Sequence, residues 1–376
     1  MSLTRFLPTP SDRMGILWTL LQIEGAIVLE YGPAGTSAYA KKNFTTSEMS
    51  IPGDLFTTQL SESELVLGED TRLENKIKEL DKKLSPKVIF VMASSVSSVV
   101  GYDVEGVCSY LKEEVKAQLV VFPQGGFAGD FSSGLQAAYT KLVTELPEET
   151  AEKENCYNIL GISSFSSHGV GDMKKAEVMM KEHFALSQHA VLSCETNLEK
   201  ILTMGKAKIN LVLSYEGLKG AKILQERFGT PYVYGFPISA ESQEKFFGEI
   251  ATYIPRISQG TPVTATKKTG KIAVFAPYDV LIAMEEYATE VGLEVEFLLC
   301  NHSLKEVENP SEKVRYCKTE KEKIALFQSL KDTNIIGEGT FFSLVHESNQ
   351  TFTLSTRDDN NPIFQLMGHE SFCINE

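Results

Sequence analysis

Cysteine is scarce in this 376-residue chain, and none of it is paired in a recognisable motif. The six residues, at positions 108, 156, 194, 300, 317 and 373, form no Cys-x-x-Cys spacing. A zinc knuckle and a thioredoxin-like redox motif are therefore excluded. These thiols are expected to be reduced, small core residues. Long apolar runs are also missing. No stretch is long enough to span a bilayer, and Asp12 and Arg13 interrupt the early apolar segment that could pass for a signal peptide. The expectation is a cytoplasmic protein with no membrane partner. Positive charge is in deficit too. With 36 Lys+Arg against 50 Asp+Glu the formal charge is -14, which repels phosphate backbones and argues against nucleic acid.

Common catalytic signatures are absent as well. Gly-Pro-Ala-Gly-Thr-Ser, from Gly32, lacks the lysine of a phosphate-binding loop, and no Gly-x-Gly-x-x-Gly follows a strand. There is no Gly-x-Ser-x-Gly elbow. His346-Glu347 and His369-Glu370 do not extend to His-Glu-x-x-His, and the six histidines show no metal-ligand spacing. His183 and His189 flank an expected helix end, where an imidazolium favours the dipole.

What the chain does have is a regular alternation of strand and helix patterns. Ser11 reads as an N-cap, followed by Met14, Leu17, Trp18 and Leu21 at helical spacing, with Gly25 as the stop. Ala26–Tyr31, Val88–Ala93 and Gln118–Phe122 are continuous apolar runs of strand length, the pattern of parallel strands covered on both faces. Helices are expected over Thr71–Leu84, Asp103–Lys116 and Gly134–Leu146. A charged boundary over Leu146–Asn155 precedes a second unit, with strands at Tyr157–Gly161, Ile209–Ser214 and Tyr232–Gly235. A Thr, Ser, Pro and Lys-rich linker, Pro255–Gly270, precedes a third unit opening at Lys271–Ala276. The expected domains are 1–150, 151–258 and a short 259–376, each α/β with a mostly parallel sheet.

Three loops of the first unit stand out: Gly32–Tyr39, Ala93–Asp103 and Pro123–Gly134. Each follows a strand and precedes a helix, so all three should gather on the carboxyl edge of one sheet, where open α/β sheets bind ligands. Their glycines and serines let backbone approach a ligand closely, although the same residues also populate turns that bind nothing.

PSDRMGILWTLLQIEGAIVLEYGPAGT is similar to the opening of a nitrogenase component 1 type subunit. The stretch Phe56–Leu80, ASSVSSVVGYDVEGV, VVFPQGGFAGDFSSG and TNLEKILTMGKAKINLVLSYEGLKGAKILQERFGTPYVYGFPI resemble later parts of that family, in order, over roughly residues 7 to 300. The resemblance implies three Rossmann-like domains around a central cleft. It also implies pairing with a homologous or identical subunit, and electrons supplied by a separate ATP-driven iron–sulfur protein. Thr36 and Ser95 stand where the family has cluster cysteines, and no cysteine precedes Cys108 to supply the early ligand expected near Pro8–Ser11. Ser214 stands where nitrogenase proper anchors its large cofactor through a thiolate, and His369 lies in a segment similar to the cofactor-histidine segment. The candidate cofactor-binding set is Gly32, Gly35, Thr36, Ser94, Ser95, Gly126 and Ser214. No catalytic residue and no metal ligand are assigned, because hydroxyls are poor substitutes for the thiolates that hold iron–sulfur clusters.

Two functional readings follow from the resemblance. One is an oxidoreductase subunit acting on an unknown substrate, with the redox centre supplied by a partner or by unusual ligands. The other is a non-catalytic scaffold or binding protein for a metal cluster or tetrapyrrole. A third, independent of the family, is an α/β protein binding some other small molecule between its domains.

Overall fold

The computed structural model describes residues 10–38, 51–61, 63–64, 71–150, 152–163, 170–258, 266–337, 345 and 347–353; His346, His369 and Cys373 fall outside them. The chain divides into two compact units. The smaller is Pro10–Pro147 with Glu195–Leu202, and the larger is Glu148–Cys194 with the chain from Thr203 onward.

The smaller unit is built on a four-stranded sheet in the order Asp54–Thr57, Ile27–Tyr31, Val88–Ala93, Gln118–Phe122, with every pairing parallel. The first strand in sequence therefore sits inside the sheet, and the chain leaves it toward both edges. Ile27–Tyr31 and Val88–Ala93 are buried at every position, the pattern of strands covered on both faces, with Glu30 the one charged residue among them. One cover is Thr71–Leu84, which buries Leu73, Ile77 and Leu80 and carries Lys82 and Lys83 in its last turn, where cations favour the helix dipole. The helix after Gln118–Phe122 starts at Phe131, earlier than the apolar spacing suggested, because the Asp130 side chain accepts the Ser133 N–H at 3.2 Å and caps it. Helix Asp12–Leu21 packs on this one through glycine on both sides. A side chain at Gly134 would overlap the Asp12 carbonyl, and one at Gly15 would overlap that of Phe131.

The larger unit holds two further parallel sheets. One runs Tyr232–Tyr234, Ile209–Val212, Cys156–Leu160, Ser187–Val191. The other runs Val314–Arg315, Glu294–Cys300, Lys271–Ala276, Asn334–Gly337, Gln350–Thr353. Side chains from both sheets, among them Tyr157, Ile209, Ile272 and Leu298, belong to one continuous apolar core. All three sheets are open, parallel and helix-covered, the Rossmann-like α/β class expected from the sequence.

Several short strands were illegible in the sequence. Asp54–Thr57 and Ser187–Val191 are edge strands with partly exposed patterns. Ile23–Glu24 pairs with Thr196–Asn197 between two stretches that the sequence reads as a helix end and a helix start. These strands exist because a distant partner completes their hydrogen bonds, which no local periodicity can announce. Four of the described cysteines, Cys108, Cys156, Cys194 and Cys300, are buried, and Cys317 is half-buried.

Candidate functional site

In a parallel sheet whose first strand lies inside, the loops leaving that strand and its later neighbour diverge to opposite faces and open a crevice at their carboxyl ends. In the smaller unit those strands are Ile27–Tyr31 and Val88–Ala93, and the next residues are Gly32 and Ser94. A side chain at Gly32 would overlap Ser94 and stand 3.6 Å from Thr36 Oγ1. The third loop closes on the same spot. A side chain at Gly125 would overlap Ser98, and one at Gly126 would lie 3.4 Å from Ser95 Oγ and 3.0 Å from Ser11 Oγ. Gly126 has φ +99°, a left-handed region that favours glycine. Gly32, Thr36, Ser94, Ser95 and Gly126 are thus neighbours along one sheet edge. Gly35 has nothing within 4 Å of where its side chain would be.

Three hydroxyls at this edge are already hydrogen-bonded to backbone. Thr36 Oγ1 donates to Pro33 O at 2.8 Å. Ser94 is the N-cap of Ser95–Val99 and accepts the Ser97 N–H at 3.1 Å, while Ser97 Oγ donates to Tyr31 O at 2.8 Å. The Gly32 carbonyl accepts from Thr57 Oγ1 at 3.0 Å and from the Leu60 N–H at 3.1 Å. The Asp103 side chain accepts the Gly106 N–H at 2.8 Å and so caps the start of Val104–Leu111.

Sequence reasoning missed the charged group beside these loops. Glu30 lies in the apolar strand Ile27–Tyr31 and is buried; its Oε1 accepts from Arg13 Nε at 2.7 Å and from Arg13 Nη2, and its Oε2 accepts from Ser37 Oγ. The available signal was the lone acid within AIVLEY, since a buried carboxylate requires a cation. Asp12, in the first turn of its helix, accepts the Ala128 N–H at 3.2 Å and so ties the third loop to the first helix. Burial pushes its carboxyl above the ordinary range.

Ser214 occupies the equivalent place in the second sheet. There Gly161, with φ +87°, follows the first strand, and a side chain on it would lie 2.5 Å from the Ser214 N and 2.7 Å from its Oγ. Ser214 Oγ donates to Glu216. The adjoining Tyr215 N–H donates to Asp279 Oδ2 at 2.9 Å, and Tyr234 OH donates to Asp279 Oδ1. Burial, reinforced by the Glu216 charge, raises the Asp279 carboxyl to about 7. His302 Nε2 accepts the Tyr278 N–H at 3.2 Å, and its Nδ1 lies 3.1 Å from Ser303 O, which fixes the proton on Nδ1.

The iron–sulfur cluster implied by the sequence resemblance does not fit this donor set. Thiolates hold such clusters, and the loops offer hydroxyls instead, those of Thr36, Ser94 and Ser97 already bonded to backbone. Cys108 belongs to the apolar core of the smaller unit, where burial pushes its thiol up to about 12. Among the described residues no group of three His, Cys, Asp or Glu could hold a metal ion. None of their helices is long and apolar enough to cross a membrane.

Comparison with known proteins agrees with this architecture. In solved structures the fold matches "Nitrogenase Cp1 at pH 6.5" with a TM-score of 0.75, covering 97% of this chain and 89% of that one at 14% identity. Curated relatives include the nitrogenase iron-molybdenum cofactor biosynthesis protein NifE of Clostridium pasteurianum, 28% identical over 56% of this chain and 46% of that protein. NifN of Nostoc sp. is 24% identical over 64% of this chain and 58% of its own length. The nitrogenase molybdenum-iron protein alpha chain of Azospirillum brasilense is 26% identical over 59% and 48%. The chain spans about half the length of the curated relatives it matches. A family profile described as "Nitrogenase component 1 type Oxidoreductase" matches residues 11–334, and the chain belongs to that family.

Proposed function

We propose that this chain is a non-catalytic scaffold or binding subunit of its family, holding a metal-containing or tetrapyrrole cargo without reducing it. The observation that carries the reading is the state of the first-sheet loops: Thr36 and Ser94 bond within their own turns, and Ser97 bonds to the Tyr31 carbonyl. The cradle of small residues thus persists without thiolates to pass electrons through a cluster. Relatives whose names specify cofactor biosynthesis support the same reading.

A partner subunit, homologous or identical, is part of the proposal. Val99 and Val100 on the second loop and Phe127 on the third are exposed, Val99 and Phe127 by 71% and 69%. Exposed apolar side chains on loops at a ligand-type edge suit an interaction surface. That patch also favours the second reading, an oxidoreductase subunit whose redox centre comes from the partner and whose electrons come from an ATP-driven iron–sulfur protein.

Anaerobic isolation followed by iron and sulfide analysis tests the first reading. The chain alone is expected to be colourless and free of stoichiometric iron; a brown, iron-loaded preparation would overturn it. Substrate reduction after adding a cysteine-bearing homologous subunit would favour the second reading instead.

A further inference from the structure

A hollow of about 510 Å³ opens at the amino ends of the second sheet's strands, the edge opposite Ser214. Its lining combines the ammonium-bearing Lys153 and Lys208 with Phe184, Pro231 and Tyr253. No Asp or Glu lines it, in a chain with 50 acids to 36 bases. Apolar walls, a few charged groups and a volume in this range are the ordinary attributes of small-molecule sites.

The two lysines are held in place but not neutralised. Lys153 Nζ donates to Gly205 O at 2.8 Å and to Thr230 Oγ1 at 2.5 Å. Lys208 Nζ donates to Asn155 Oδ1 at 2.6 Å. These acceptors are all neutral. The neighbouring acids are engaged elsewhere, Glu154 by Lys206 at 3.0 Å and Glu149 by Arg227 at 3.5 Å. An ammonium has three donors, so both lysines keep N–H groups for a ligand. Burial without a counter-charge pulls Lys153 below the ordinary lysine range, a penalty that an incoming anion would relieve. Carbonyl capping explains one of the two cations, because Lys153 reaches Gly205 O. It does not explain Lys208, which reaches a side-chain amide.

We propose that this hollow binds a small organic anion, a carboxylate or phosphate head on a flat apolar body. Lys153 and Lys208 meet the head, and Phe184, Pro231 and the half-exposed Tyr253 line one side of the body. The site lies on the sheet edge opposite Ser214 and does not depend on what the first-sheet loops carry.

Titration calorimetry of the full chain with phenyl phosphate, phenylacetate, inorganic phosphate and benzyl alcohol tests the inference. At least one of the two aryl anions is expected to bind about tenfold or more tighter than either inorganic phosphate or benzyl alcohol, and the tighter aryl anion identifies the preferred head. Lys208→Gln is expected to weaken that binding about tenfold or more, with Tyr253→Ala weakening it independently and the thermal transition of Lys208→Gln unchanged. Lys208→Gln is the decisive variant because Lys153 also supports a backbone carbonyl. No saturable heat with either aryl anion, equal affinity for inorganic phosphate, or binding undiminished in Lys208→Gln would each overturn the proposal.

Discussion

The carboxyl edges of the first and second sheets share a backbone frame and differ in charge. In both, a glycine directly after the innermost early strand packs against a serine after the neighbouring strand: Gly32 on Ser94, Gly161 on Ser214. Beside Gly32 and Ser94 the buried acid is Glu30, and Arg13 compensates it. Beside Gly161 and Ser214 the acids are Glu216 and Asp279, and the groups donating to Asp279 are a backbone N–H and a phenol rather than a cation. One fold therefore presents a charge-balanced edge and an acid-rich edge. Burial raises a carboxyl at each edge, Asp12 at the first and Asp279 at the second, and at the second the Glu216 charge reinforces desolvation and carries Asp279 to about 7.

Removing the compensation is the harshest way to break this contrast. Arg13→Met leaves Glu30 buried with no cation and is expected to cost about 3–5 kcal/mol, read by urea denaturation. Adding Glu30→Gln should recover much of that loss. If Arg13→Met alone leaves stability unchanged, the balanced description of the first edge is wrong.

The second edge should show itself through pH. Asp279 titrates at about 7 in the folded chain against an ordinary 3.8, so the folded state binds the extra proton between those values. Its contribution is therefore favourable at low pH and is lost as pH rises through 7. The stability of the wild type minus that of Asp279→Asn is expected to fall by a few kcal/mol between pH 4 and 8. A flat difference would show that Asp279 is not perturbed.

The two glycines sharpen the comparison. Gly161→Ala must adopt a left-handed φ and press on the Ser214 backbone N, at a cost of about 3 kcal/mol. Gly32→Ala keeps an ordinary φ but presses on Ser94, whose Cβ at 2.4 Å moves only with its backbone, and should cost about 1–3 kcal/mol. A double-mutant cycle with Ser94→Gly should return part of the Gly32→Ala loss, and equal penalties with no coupling would contradict the packing. The smallest effect is expected from Thr36→Val, which deletes the bond to Pro33 O for about 1 kcal/mol. A much larger loss would indicate that Thr36 does more than close its turn.

Much of this was legible along the chain. The apolar runs at Val88–Ala93 and Gln118–Phe122 placed one inner and one outer strand of the first sheet, and the small-residue loops after them fell on one edge because parallel strands end together. The substituted positions Thr36 and Ser95 could be named before any coordinates. The partner of the neighbouring Ser97 hydroxyl could not, since Ser97 reaches Tyr31 O across 66 residues. Arg13 and Glu30, 17 residues apart, became a pair only when the first helix met the first strand.

The amino-acid sequence by itself determined the α/β alternation, the family and the absence of thiols from the three loops, because apolar periodicity and residue identity are local properties. Tertiary structure alone decided which acids are balanced, which hydroxyls are already bonded, and that the second and third sheets share a core. Those are outcomes of close approach between distant segments, where desolvation and hydrogen bonding depend on neighbours that no local pattern specifies.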